Sequence, residues 1–171
     1  MGMNLAAAII AKDPVPEDIG CLEFQGLGGV YRIYRETWEG RQVWVPKSDE
    51  ELTDSNDDSA SCFCRDHYLH DFLIPNDLWD YSVDPKGVQY TDHWRGNMEE
   101  PMLIREFMAW FSSHEGYDWW PARLLLEYDY SAVTNHYNGV RGQMRDLFPK
   151  WYFELLDAAR RINAEYIIFT R

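Results

Sequence analysis

VYRIYRETWEGRQVWV, residues 30–45, is the stretch that sets the fold class. Apolar side chains alternate with Arg, Glu and Gln in both halves of it, at Tyr31, Ile33, Val43 and Val45. A period of two is typical of strands with one buried face, and Glu39-Gly40 suits a two-residue turn. The stretch therefore predicts an antiparallel hairpin of Val30–Trp38 and Arg41–Val45, with its other face in water.

The residues before this hairpin extend the β region. Leu22–Gln25 reads as a further strand, joined to the hairpin by a glycine-rich turn over residues 26–29. This turn lacks both the Gly-x-Gly-x-x-Gly spacing and the following helix that a phosphate-binding loop requires. Further upstream, the apolar run Leu5–Ala11 predicts a short helix or a buried N-terminal arm, ended by Asp13-Pro14 and Pro16.

The C-terminal half is predicted to be mainly helical. Met102–Ser113 follows two acids and a first-turn proline, and its apolar residues recur every three or four positions, so we expect a helix at least half buried. Leu124–Tyr130 alternates like a strand, Ser131–Met144 reads as a helix weakened by two glycines, another helix opens at Pro149, and Tyr166–Phe169 is a terminal strand. The prediction is an α+β fold: an N-terminal antiparallel sheet with a helical C-terminal half packed on it, as a single domain over residues 1–171.

Charge is distributed unevenly along the chain, whose formal net charge is −13. Residues 1–60 carry 5 basic and 12 acidic side chains, residues 61–120 carry 4 and 11, and residues 121–171 carry 7 and 6. Such a field repels nucleic acid and anionic lipid and attracts basic partners. We therefore expect a basic protein surface as partner, with no direct nucleic acid and no membrane. No signal peptide or membrane span is recognisable, so we expect a soluble, cytoplasmic protein.

Two segments read as loops. Residues 47–61 form an acidic, serine-rich run that predicts a solvated surface loop or, functionally, a docking tract for a basic partner. Residues 75–98 are rich in Asp, Gly, Pro and aromatic residues and predict a long loop with one short strand near Val88–Thr91.

Cys62, Cys64, His67 and His70 offer four zinc-type ligands within nine residues, and Cys21 could supply a distant one. Structural zinc sites usually take two close ligands from each of two separated segments. We therefore interpret these side chains as free thiols and surface histidines and predict no metal and no cofactor. Three cysteines cannot all pair within one chain, which favours a reducing compartment.

Catalytic motifs are not recognisable in the sequence: it has no Gly-x-Ser-x-Gly, His-Glu-x-x-His or P-loop. Glu127 and Asp129 would share one face of the predicted strand, which suits acid/base chemistry in geometry, but an exposed strand face explains the pair as well.

Trp and Tyr residues alternate with Asp in the loop-like segments, either as core residues or as a recognition surface for a basic protein. We expect a small acidic binding protein that inhibits or sequesters a basic surface, such as a nuclease or a nucleic-acid-binding defence complex. Its expected partner-binding residues are Asp49, Glu50, Glu51, Asp54, Asp57, Asp58, Trp79, Asp80, Trp94, Trp119 and Trp120.

Two alternatives come from other classes. One is a small hydrolase or ligand-binding enzyme with a site in the Asp77–Asp118 loops, with or without a divalent metal. The other is an assembly protein of a mobile element or phage, which would form homo-oligomers.

Overall fold

The structure, a computed structural model, describes residues 6–26, 29–47, 69, 72–73, 99–111, 116–131, 133–135 and 141–170. Within these residues it has an α+β fold, as the sequence predicts. The strands of the main sheet are β1 (Ala6–Ala11), β2 (Cys21–Gly26), β3 (Gly29–Trp38), β4 (Arg41–Val45), β5 (Tyr117–Pro121) and β8 (Ala164–Thr170). The sheet is antiparallel and has the order β2-β3-β4-β1-β8-β5.

The strands and the turn predicted from residues 30–45 are confirmed, whereas the prediction that one face meets water was wrong for β4, where Val43, Trp44 and Val45 are all buried. β3 and β4 pair up to Trp38 and Arg41, next to the turn. Glu39 and Gly40 have φ values of 49° and 76°, and a two-residue turn with both φ values positive matches the right-handed twist of the strands it joins. β2 adds to the other side of β3, with paired residues running out to Gly26 and Gly29.

β1 corrects the prediction for the N-terminal segment. A helix there was wrong, whereas burial was right, because all six residues of β1 are buried. β1 lies between β4 and β8 in the middle of the sheet. A strand with both faces covered needs apolar residues at every position, so its sequence shows no alternation to distinguish it from a buried helix.

The two faces of the sheet are covered by different helices. One face packs against α1 (Met102–Phe111), and the other against α2 (Ala122–Glu127) and α4 (Lys150–Arg161). A short helix, α3 (Met144–Leu147), leads into α4. The predicted helices at Met102 and after Pro149 and the predicted strand at Tyr166 are therefore confirmed, and two strands from the C-terminal half return to the sheet.

Two other predictions for the C-terminal half were wrong. Leu124–Tyr130 is not a strand, since residues up to Glu127 belong to α2, where Leu125 packs against α4. Ser131–Met144 is not one helix, since it contains the two-stranded ribbon of β6 (Val133–Asn135) and β7 (Arg141–Gln143). Helix-forming Ala, Leu and Arg outweighed a chance alternation in the first case, and β-branched and glycine residues outweighed the apolar spacing in the second.

Two tyrosine hydroxyls form a chain at the end of α2. The Tyr130 hydroxyl lies 2.7 Å from the carbonyl oxygen of Leu125 and 2.7 Å from the Tyr152 hydroxyl. Because the carbonyl can only accept, Tyr130 donates to Leu125 and Tyr152 donates to Tyr130. Burial raises the pKa of both tyrosines above the ordinary value of 10.0. The chain satisfies a carbonyl in the last turn of α2, where intrahelical donors run out.

No helix in the described part of the chain is long and apolar enough to cross a membrane.

Candidate partner-binding surface

Most of the predicted partner-binding residues lie outside the described residues. These are Asp49, Glu50, Glu51, Asp54, Asp57, Asp58, Trp79, Asp80 and Trp94. The predicted loops 47–61, apart from Lys47, and 75–98 lie outside them too, as does most of the Asp77–Asp118 segment of the enzyme alternative. The predictions for these residues stay predictions.

Trp119 and Trp120 lie in β5 and not in a loop. Their relative exposures are 5% and 0%, on opposite faces of the sheet. The Trp120 ring stacks on Phe72, and its indole Nε1 donates to the carbonyl oxygen of Leu73 at 3.2 Å. Both tryptophans are core residues because β5 is covered on both faces. They are therefore not accessible as anchors for a partner.

One of the candidate metal ligands, Cys21, lies within the described residues, where it is partly buried on β2. The other four, Cys62, Cys64, His67 and His70, lie outside the described part. Among the residues that the structure describes, no group of three or more His, Cys, Asp and Glu could hold a metal ion.

Glu127 and Asp129 do not share a strand face. Glu127 is the last residue of α2, and Asp129 lies in the turn that follows. The Asp129 Oδ1 accepts hydrogen bonds from the hydroxyl and the backbone N–H of Ser131, and these bonds lower the pKa of the Asp129 carboxyl. A carboxylate that accepts from its own turn stabilises that turn.

The outward side of α1 carries exposed apolar side chains. Ile104, Phe107 and Met108 on the inward side are buried against the sheet. On the outward side Met102 is 69% exposed and Trp110 is 45% exposed, and these are the large apolar side chains recorded as exposed in the described part of the chain. We call Met102, Glu106, Ala109 and Trp110 the α1 outer face; all four are exposed.

The Trp110 ring packs against two aromatic residues of the core. Its ring centroid lies 6.2 Å from that of Trp38, at the end of β3, and 5.8 Å from that of Phe107. Trp38 and Phe107 also contact each other edge to face at 5.4 Å. Contacts of this kind fix the orientation of the Trp110 ring before any partner arrives. A pre-ordered aromatic side chain loses little conformational entropy on binding.

The charge next to Trp110 is negative. Glu106 precedes Trp110 by four residues, which places the two side chains side by side on the helix. The basic residue of α1, Arg105, is engaged elsewhere: its Nε lies 3.5 Å from an Oε of Glu100. Glu106 makes no ion pair among the described residues. The carboxylate beside Trp110 is thus not neutralised by the cation of its own helix.

Glu100 is tied to the sheet as well as to Arg105. The Tyr117 hydroxyl of β5 donates to Glu100 at 2.5 Å. Burial, and then this hydrogen bond, raises the pKa of Tyr117 to about 12. The start of α1 is thereby attached to β5, and the same Glu100 pairs with Arg105.

Trp110 is more exposed than its place in the apolar spacing of α1 indicates. In the sequence, Trp110 falls in an apolar row with Leu103 and Phe107, whereas the buried residues of α1 are Ile104, Phe107 and Met108. A usable signal was present, because Met102, Glu106 and Trp110 follow one another at intervals of four residues. A row that includes a charge points outward more often than a fully apolar row.

No protein-family model matches the chain, and neither the curated proteins nor the solved structures provide a match.

Proposed function

We propose that this protein works by binding, and that it blocks or sequesters the basic surface of another protein. A nuclease or a nucleic-acid-binding defence complex would present such a surface. The observation that supports the proposal is Trp110. Its indole is 45% exposed and packs against Trp38 and Phe107, in a chain with a net charge of −13. Tryptophan is among the residues that most often dominate the energy of an interface.

Two parts of the chain have different roles in this proposal. The acidic run that includes Asp49, Asp54 and Asp58 supplies long-range attraction, which speeds the encounter with a basic partner and weakens with added salt. The α1 outer face supplies the short-range contact. Direct binding to nucleic acid is not part of the proposal, because the same field repels phosphate. The proposed location is the cytoplasm, because three cysteines cannot all pair within one chain and the cytoplasm keeps thiols reduced.

The test begins with a partner recovered from the native host and identified by mass spectrometry, whose binding is then measured with the two purified proteins. We expect Trp110→Ala to weaken affinity about 10-fold or more. Deletion of residues 49–58 should slow association and leave the fold intact. Glu127→Gln is the control. It changes one exposed residue in the helical layer on the other face of the sheet and should change affinity less than about 2-fold.

Salt is the second variable. Raising ionic strength from about 50 mM to about 500 mM should lower the association rate steeply, because it shortens the distance over which charges act. Affinity that does not depend on salt would refute the proposal. Self-association in a light-scattering series, with no foreign partner, would favour the assembly alternative.

A further inference from the structure

We propose that the α1 outer face binds a guanidinium group of the partner, held between the Trp110 indole and the Glu106 carboxylate. This inference rests on the proposed function and narrows the partner: its contact residue is an exposed arginine.

The geometry of the helix places the two groups together. Side chains four residues apart on a helix have Cβ atoms about 5–6 Å apart. Helical side chains also lean toward the N-terminus, so the Trp110 ring lies over the turn that contains Glu106. Trp38 and Phe107 contact Trp110 from within the fold, and the 45% of Trp110 that is exposed faces solvent. A planar cation lying on that exposed surface comes within reach of the Glu106 oxygens.

Arginine fits this pair of groups better than lysine. The guanidinium is planar, stacks on an aromatic face and donates two parallel hydrogen bonds to one carboxylate. It is also more weakly hydrated than an ammonium group, so it loses less on leaving water. Cation–π attraction is strongest over tryptophan. The pair therefore predicts a preference for arginine and not a general attraction to positive charge.

The protein contains the same arrangement within its own fold. The Arg35 guanidinium carbon lies 5.4 Å from the ring centroid of Trp44, and its Nη1 lies 2.9 Å from Asp18 Oδ1. One guanidinium thus contacts an indole and a carboxylate together. On the α1 outer face the indole and the carboxylate are present, and no cation from the described part of the chain is recorded on them.

Charge also decides against a second copy of this chain as the occupant. A two-fold contact through α1 would bring Glu106 of each copy close to the other, in a chain with a net charge of −13. A purely apolar occupant would remove the Glu106 carboxylate from water without pairing it, which is costly. A cationic group avoids both penalties.

The experiment uses the full chain and two peptides, hexa-arginine and hexalysine, as probes. Binding is followed at the ¹⁵N–¹H indole resonance of Trp110, assigned by its loss in Trp110→Phe, so that peptide bound to the acidic run elsewhere does not dominate the readout. We expect hexa-arginine to shift this resonance with an affinity at least about 2-fold higher than that of hexalysine. Glu106→Gln should weaken the affinity of hexa-arginine at this site about 2- to 5-fold.

Glu127→Gln is the matched control, because it removes one exposed carboxylate from the other layer of the fold and should leave the Trp110 titration unchanged. Both substitutions are at exposed positions, and unchanged amide dispersion will verify folding. Equal shifts with both peptides, or equal effects of the two substitutions, would overturn the arginine site while leaving a general basic partner in place. Binding of neither peptide at low salt would overturn the proposed function as well.

Discussion

At the scale of single residues, the Tyr130 hydroxyl makes two hydrogen bonds, and the Tyr152 hydroxyl takes part in one of them. Tyr130 both donates to the Leu125 carbonyl and accepts from Tyr152. Tyr152 is fully buried and belongs to α4, so the chain of hydroxyls also connects α2 with α4. Around it Phe72, Phe148 and Phe153 contact the Tyr130 ring at centroid distances of 5.3–6.1 Å. Water has little access to replace a lost hydrogen bond there.

Substitution of the two tyrosines tests the direction of the hydrogen bonds. Tyr130→Phe leaves the Leu125 carbonyl and the Tyr152 hydroxyl without their partner, and we expect it to lower the free energy of unfolding by about 1–3 kcal/mol. Tyr152→Phe leaves the bond from Tyr130 to Leu125 in place and should lower it by about 0.5–1.5 kcal/mol. Urea denaturation of both variants measures the difference. A larger loss for Tyr152→Phe would show that the Tyr130 hydroxyl donates to Tyr152 and not to Leu125.

At the scale of elements, different residues of α1 contribute to stability and to the proposed binding surface. Its inward residues build the core under one face of the sheet, and its outward residues are those of the proposed binding surface. Phe107 is fully buried and contacts Trp38 and Phe111 as well as Trp110. Met102, the first residue of α1, is 69% exposed.

This division predicts that two truncations in the same helix differ in their effect on the free energy of unfolding. Phe107→Ala should lower the free energy of unfolding by about 3–5 kcal/mol, because it opens a cavity between α1 and β3. Met102→Ala should change it by less than about 0.5 kcal/mol. Chemical denaturation measures both. If Met102→Ala proved as costly as Phe107→Ala, the assignment of inward and outward sides would be wrong.

How far the sequence predicted each element depended on whether one of its faces meets water. β2 and β3 were predicted to within a residue or so, since Glu and Gln mark their exposed positions. β4 was predicted because the turn and Pro46 bound it, although Val43, Trp44 and Val45 are all buried. β1 and β5 were missed because both faces are covered, which removes alternation from their sequences. The burial of Trp119 and Trp120 was missed for the same reason: it depends on which strand lies beside β5, and β8 comes almost 50 residues later in the chain.

At the scale of the whole molecule, three buried or partly buried tyrosines make stability depend on alkaline pH. The pKa values of Tyr130 and Tyr152 are raised by burial and that of Tyr117 is raised to about 12, all from an ordinary value of 10.0. A raised pKa in the folded state means that the unfolded chain loses these protons first. Their contribution is therefore fully present below about pH 10 and is lost as the pH rises toward the folded-state values.

We accordingly expect the urea midpoint to fall between about pH 10 and about pH 12, beyond any change seen near neutral pH. The double variant Tyr130→Phe, Tyr152→Phe should show a shallower fall over the same range, although it is less stable at neutral pH. Tyrosinate absorbance, followed in parallel, should show these tyrosines ionising together with unfolding. An equally steep fall in the double variant would attribute the loss to other groups.

The pairing of β1 with β8 in the middle of the sheet affects how the protein folds during its synthesis. Pairs such as Ala7 with Phe169 and Ile9 with Ile167 join strands that leave the ribosome about 10–30 s apart, at about 5–20 residues per second. Throughout that interval the apolar strand AAAIIA lacks the neighbour that covers one of its edges. Open apolar edges are templates for pairing with other chains. The yield of folded protein should thus depend on translation speed and on chaperones that shield β1 until β8 is synthesised.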